Sequence, residues 1–266
     1  MSITIETLRT DRFCMRWFRF GSGSRVFVIL PGLSVKSVMN DADAIAEDYA
    51  AFTAEYTVCV FDRREDPPNA YSVRDMAHDT AQAMKELGLS GVCLFGASQG
   101  GMIAQVIAAE YPELVGKLVL GSTTSRVAAY EPVIEHWIRL AEERDGTGLF
   151  ADFGRKIYPA DVYEQVREQL HEAGKTVTEE EFRRFLIYAK GMRGFDISGE
   201  LNSIRCPVLV MGAYEDAVLD TDDTMEIAEL LDLPPKDHVY LYKGYGHAAF
   251  STAPDYKQRI LSFLKM

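Results

Sequence analysis

In Val92-Cys93-Leu94-Phe95-Gly96-Ala97-Ser98-Gln99-Gly100-Gly101-Met102, an apolar run enters Gly-x-Ser-x-Gly and a helix-forming run leaves it. Val92 to Phe95 show no polar alternation, as expected of a strand buried on both faces. Met102, Ala104, Gln105, Ala108, Ala109 and Glu110 favour a helix that runs to Tyr111. No loop separates the two elements. A chain that turns from strand to helix within one residue holds that residue in a strained conformation, and the glycines two before and two after it keep side chains off the turn. The turn pushes the Ser98 hydroxyl outward as a candidate nucleophile. The first turn of the following helix aims unpaired N–H groups and the positive dipole end at whatever the serine attacks.

A serine hydroxyl is a weak nucleophile at neutral pH, so the pattern calls for an imidazole to take its proton and a carboxylate to orient that imidazole. In strand–Ser–helix elbows of this type the acid and the histidine follow in that order. Cys206 to Gly212 reads as a short strand opened by Pro207, and it leads into Ala213-Tyr214-Glu215-Asp216-Ala217-Val218. Asp216 is the candidate acid, with adjacent Glu215 as the alternative and Asp220, Asp222 and Asp223 close behind. His238 to Lys243 reads as a later strand, and Gly244-Tyr245-Gly246-His247 follows as a loop. His247 is the candidate base; His78, His136, His171 and His238 lack such a setting. Ser122-Thr123-Thr124-Ser125 holds no carboxylate, which argues against an acid placed earlier in the chain.

The flanking segments alternate strand and helix. Residues 2 to 30 hold three β-rich runs, the last from Arg25 to Leu30 after the turn Gly21-Ser22-Gly23-Ser24. Asp41 to Phe52 and Ser72 to Leu87 read as amphipathic helices; Ser72 and Asp75 form a capping arrangement, and Gly88 stands where a helix ends. This alternation predicts an α/β fold: a mostly parallel central sheet with helices on both faces and the site at the strands' carboxyl ends. From Thr124 to about Ser203 the pattern becomes helical and charged, with helices expected over Glu131–Glu143, Asp161–Ala173 and Thr178–Lys190. Residues 1–125 and 204–266 therefore read as one core and 126–203 as an insertion.

Taken together, these segments resemble the α/β-hydrolase superfamily over nearly the whole chain. The resemblance rests on Pro31-Gly32-Leu33 after an apolar strand, Phe61-Asp62-Arg63 after the next, the Ser98 elbow, Tyr111-Pro112-Glu113 before Lys117-Leu118-Val119-Leu120, Cys206 to Asp216, and Gly244 to His247. It implies an oxyanion hole formed by the backbone N–H groups of Leu33 and Gln99. It also implies that the insertion is a helical lid whose apolar residues, Trp137, Phe150 and Met192 foremost, line an acyl pocket; Leu140, Phe153, Tyr158, Phe182, Phe185 and Leu186 are further candidates. Two departures stand out. Pro31 replaces the histidine that many members carry before the loop glycine, and Arg64-Glu65-Asp66-Pro67-Pro68 replaces a glycine-rich turn with a stiffer, more polar rim.

The activity implied is that of a serine hydrolase cleaving a small carboxylic ester through an acyl-enzyme. Thioester, lactone, amide or peptide, and C–C bonds next to a ketone are alternatives within the same fold, because fold does not fix substrate. Haloalkane dehalogenation is disfavoured, since the enzymes that resemble this chain and do it carry aspartate at the elbow. A small-ligand receptor that retains the three residues is the alternative of another class.

Composition bounds the rest. With 266 residues and 47% hydrophobic content the chain can bury one large core. A formal charge of −12 opposes nucleic-acid binding. No apolar run approaches the roughly 20 residues that span a bilayer, and the N-terminus lacks a basic segment followed by an apolar one, so a cytoplasmic protein without membrane partners is expected. Cys14, Cys59, Cys93 and Cys206 show no metal or redox spacing and read as buried thiols of a reducing compartment. No cofactor and no metal are expected; the partner is a small-molecule substrate, and an exposed apolar edge on the lid would support a homodimer.

Overall fold

Strand β5 (Val92–Ala97) is buried at every position. It pairs in parallel with β3 (Arg25–Leu30) on one side and β6 (Val115–Gly121) on the other. Because successive side chains point to opposite faces, Val92 and Leu94 enter one core, and Cys93, Phe95 and Ala97 enter another. A strand covered on both faces has no polar face to display, which is why its sequence shows no alternation. The sheet is completed by β1 (Ile5–Arg9), β2 (Cys14–Phe20), β4 (Tyr56–Arg64), β7 (Val208–Ala213) and β8 (Val239–Tyr242), in the order β1-β2-β4-β3-β5-β6-β7-β8. The pairs β1–β2 and β2–β4 are antiparallel and the others parallel. The computed structural model describes residues 3–127 and 131–266; Met1 and Ser2, and Ala128–Tyr130 within the expected insertion, lie outside the described residues.

Helices α1 (Ala42–Asp48), α2 (Val73–Glu86) and α3 (Gln99–Glu110) divide between the two faces. α2 and α3 cover one face, while α1 and the C-terminal helix Tyr256–Lys265 cover the other. The expected helix over residues 41–52 is broken into α1 flanked by two short 3-10 turns, and the break at Tyr49 lets Tyr49 and Phe52 both pack on Phe27. α2 forms as its sequence predicts. The Ser72 hydroxyl accepts from the Asp75 N–H, and the Asp75 carboxylate accepts from the Ser72 N–H. At the other end Gly88 adopts φ +68°, its N–H donates to Lys85 O, and Leu89 N–H donates to Met84 O, satisfying two terminal carbonyls. Ser72→Ala is expected to lower unfolding free energy by about 1 kcal/mol, read from urea midpoints at constant slope.

Between β6 and β7 the chain forms α4 (Glu131–Glu142), α5 (Gly146–Ile157), α6 (Ala160–Lys175) and α7 (Glu179–Lys190), and α8 (Thr221–Leu230) follows β7. α4, α6 and α7 match the expected helices to within two residues at each end. α5 lies outside the expected helices, and its Gly146, Gly148 and Gly154 are poor helix formers. Here they serve close approach: a Cβ on Gly146 would stand 2.3 Å from Gly174 O, and one on Gly154 would stand 2.5 Å from a Leu170 methyl. Asp145 caps the helix by accepting from Gly148 N–H. Ile134, Trp137, Ile138, Leu149, Phe182 and Phe185 from these helices join the same core as α2 and α3. Among the described residues no helix is long and apolar enough to cross a membrane.

Candidate active site

Ser98 stands between β5 and α3 with φ +52° and ψ −122°, a region that side chains with a Cβ rarely occupy. Its surroundings hold it there. The Ser98 N–H donates to Gly121 O at 2.9 Å, and the Ser98 carbonyl accepts from Gly101 N–H, Met102 N–H and the Thr123 hydroxyl. The flanking glycines are sterically required. A Cβ on Gly96 would lie 2.3 Å from Gly100 O, and one on Gly100 would lie 2.1 Å from Leu30 O. The elbow is thus wedged between β5, α3 and the end of β3.

The β7 exit carries Asp216. Its Oδ1 accepts from Val218 N–H at 2.8 Å and Leu219 N–H at 2.9 Å, which fixes the carboxyl plane. Its Oδ2 lies 2.8 Å from His247 Nδ1, and both side chains are almost wholly buried. With a carboxylate as its acceptor, Nδ1 carries the proton and Nε2 keeps its lone pair. Glu215 is engaged otherwise: it is exposed, and its Oε2 accepts from Gly244 N–H at 2.6 Å, tying the β7 exit to the loop that holds the histidine. Gly244 and Gly246 both take positive φ in that loop. Ala248 N–H donates to Ile157 O at the end of α5, so the histidine loop also touches the inserted helices.

Three of the other four imidazoles have partners elsewhere. His78 meets Glu110 at 2.8 Å, His136 lies 3.8 Å from Asp152, His238 meets Val208 O at 2.6 Å, and His171 is exposed.

Ser98 and His247 line one narrow cavity of about 50 Å³, without a direct hydrogen bond between them among the described residues. The remaining walls are Gly32, Leu33, Met102, Ile134, Trp137, Phe153, Ile157, Met192, Val218, Leu219 and Phe250. Of the three inserted residues put foremost in the sequence, Trp137 and Met192 are on this wall. Phe150 is not: it is half-buried against the larger core and is absent from the wall. Its helical phase matches Phe153 and Ile157, but it sits two turns before Ile157, about 10 Å along the α5 axis. Met102, Val218 and Phe250 were not singled out in the sequence, although each lies within four residues of Ser98, Asp216 or His247.

The loop Pro31-Gly32-Leu33 passes directly beside the elbow. A Cβ on Gly32 would approach Ser98 Cβ at 3.2 Å and Ser98 Oγ at 3.7 Å. Gln99 opens α3, so its backbone N–H has no partner within the helix. Both segments border Ser98.

The model of the family described as alpha/beta hydrolase fold matches residues 25–167. The Caulobacter segnis protein with the provisional name carbamate hydrolase RutD is 27% identical over 238 residues, covering 83% of this chain and 85% of its own. An alpha/beta hydrolase enzyme from a Medee basin deep-sea metagenome library superposes with a TM-score of 0.85 at 19% identity, covering 98% of each chain. A thermophilic esterase from Thermogutta terrifontis gives 0.78 at 20% identity, covering 100% of this chain and 98% of its own. With the family model spanning more than half of the sequence and the strand order set out above, the chain belongs to the α/β-hydrolase fold family.

Proposed function

We propose that the protein is a serine hydrolase acting on esters of short, uncharged acyl groups. The observation that carries this reading is His247, held by buried Asp216 at 2.8 Å, on the wall of the cavity into which the strained Ser98 turn opens. Ser98 Oγ adds to the ester carbonyl carbon while its proton passes to His247 Nε2, and Asp216 stabilises the imidazolium. The N–H groups of Leu33 and Gln99 take the charge that develops on the carbonyl oxygen. As the tetrahedral adduct collapses, the C–O bond to the alcohol breaks and His247 returns the proton to the departing oxygen. Water then attacks the acyl-enzyme with His247 as base, and the acid leaves with Ser98 restored.

Substrate size and charge follow from the cavity. Its volume of about 50 Å³ holds only a few water-sized groups. Among the described residues its lining offers no carboxylate, ammonium or guanidinium, and its polar side chains are Ser98, His247 and Trp137, whose indole N–H is already given to Asp152, so a charged acyl group would lose its hydration without replacement. The helices α4 to α7 act as the lid, since Ile134, Trp137, Phe153, Ile157 and Met192 all come from residues 126–203. The relatives named for carbamate hydrolysis favour a second reading, in which the scissile bond is a carbamate or amide.

A fluorophosphonate probe followed by a panel of acetyl, butyryl and carbamoyl esters tests both readings. Labelling of the folded protein with turnover of acetyl esters supports the first; carbamoyl turnover above acetyl turnover favours the second. A folded protein that resists labelling and turns over neither is a ligand-binding rather than a catalytic member of its fold. On the first reading, Met192→Ala enlarges the acyl end and raises the butyryl-to-acetyl ratio of kcat/KM by about tenfold.

A further inference from the structure

Behind the Pro31-Gly32-Leu33 loop lies a second, smaller polar cleft, walled by Ser37, Asp62, Arg63, Gln99, Arg184 and Tyr188. At its centre Arg63, the penultimate residue of β4, is 5% exposed. Its Nη2 donates to Pro31 O at 2.6 Å and to Gln99 Oε1 at 3.3 Å. Among the described residues it has no salt bridge to a carboxylate: Asp62, its neighbour in sequence, accepts instead from the Arg63 backbone N–H and the Ser37 hydroxyl and faces Arg184 at 3.7 Å. A buried cation that spends one nitrogen on a backbone carbonyl and an amide, and whose Nε has no hydrogen-bond partner among the described residues, is expensive to keep for stability alone. What it joins is specific. Pro31 begins the loop that carries the Leu33 N–H, and Gln99 carries the other N–H.

The amide of Gln99 continues the chain of contacts. Its Nε2 donates to Tyr188 O in α7 at 3.0 Å, while the Tyr188 hydroxyl donates to Arg64 O at 2.8 Å. Gln99 therefore accepts from the core with one end of its amide and donates to the inserted helices with the other. We propose that Arg63 is a positioning residue that sets the spacing of the two oxyanion donors, and that Gln99 makes this spacing depend on the seating of α7. The inference rests on the hydrolase reading above. An oxyanion hole works only when both donors stand within hydrogen-bond reach of the developing charge, and a single nitrogen, Arg63 Nη2, ties the two segments together from a position one bond beyond the reach of a lysine ammonium.

The test compares wild type, Arg63→Ala, Arg63→Lys and Gln99→Glu for acetyl-ester kcat and KM, for inhibition by a trifluoromethyl ketone that forms a tetrahedral adduct, and for melting temperature. Arg63→Ala is expected to lower kcat by about 100-fold with KM changed less than about threefold, and to weaken the ketone by a factor similar to the loss in kcat/KM. Millimolar guanidinium restores part of the kcat of Arg63→Ala, whereas equal sodium chloride does not; Arg63→Lys stays impaired. Gln99→Glu still accepts from Arg63 but cannot donate to Tyr188 O, and it gives a smaller loss in the same direction. If Arg63→Ala does not fold, Gln99→Glu decides alone: unchanged kcat and unchanged ketone affinity overturn the proposal. A folded Arg63→Ala that keeps wild-type kcat, or loses kcat and KM without guanidinium rescue, overturns it as well while the hydrolase reading stands. A wild-type protein that neither labels with fluorophosphonate nor turns over any ester overturns both.

Discussion

Ser98→Ala is expected to lower kcat for an acetyl ester by roughly 10⁵- to 10⁶-fold and to abolish fluorophosphonate labelling, with the fold intact. The side chain makes no capping hydrogen bond to α3, so its removal leaves the elbow's backbone bonds to Gly121, Gly101 and Met102 in place. Alanine carries the same Cβ and keeps the backbone strain, which separates loss of the nucleophile from loss of the turn. Residual hydrolysis would come from the cavity and the two N–H donors acting on water. A Ser98→Ala protein that hydrolyses the ester within about tenfold of wild type refutes the assignment of the nucleophile.

The second large effect concerns the carboxylate. Asp216 Oδ1 accepts from two backbone N–H groups, so in Asp216→Asn the amide oxygen retains those bonds and the NH₂ group turns toward His247 Nδ1. A donor there forces Nδ1 to accept, places the ring proton on Nε2, and leaves no lone pair facing Ser98. The expected loss is about 10⁴-fold in kcat with a nearly unchanged structure. Glu215→Gln is the matched control: its amide oxygen still accepts from Gly244 N–H, and a change of less than about fivefold is expected, since one exposed hydrogen bond is weakened and none is lost. Measuring both variants on one ester decides which carboxylate acts. Equal losses, or a larger loss at Glu215, contradict the roles given to this pair.

The central sheet and the elbow were legible because their causes are local. A run such as Val92 to Phe95 announces burial on both faces, and glycines at 96 and 100 announce a turn that no other residue fits. The capping of α2 by Ser72 and Asp75 is likewise written within four residues. Asp216 and Glu215 could not be separated by spacing, because a contact with Gly244, twenty-nine residues away, occupies Glu215. α5 was hidden by glycines whose purpose appears only when α6 packs against them. Phe150 is absent from the cavity wall: apolar character within the insertion does not tell a residue that packs on the core from one that reaches the cavity. The Arg63 contacts draw on β3, β4, α3 and α7, segments spread over more than half of the chain, and no local pattern marks them.

The amide of Ser98 is hydrogen-bonded to Gly121 O across two strands that are themselves covered on both faces. Such groups exchange with solvent only when a protein opens globally, whereas peripheral helices fray at lower cost. The strained turn therefore cannot relax by local melting: to lose it, the molecule must lose the sheet. Heat should then silence the nucleophile in the same cooperative transition that destroys the native fold, while any earlier decline in turnover would report loosening of the helices above it.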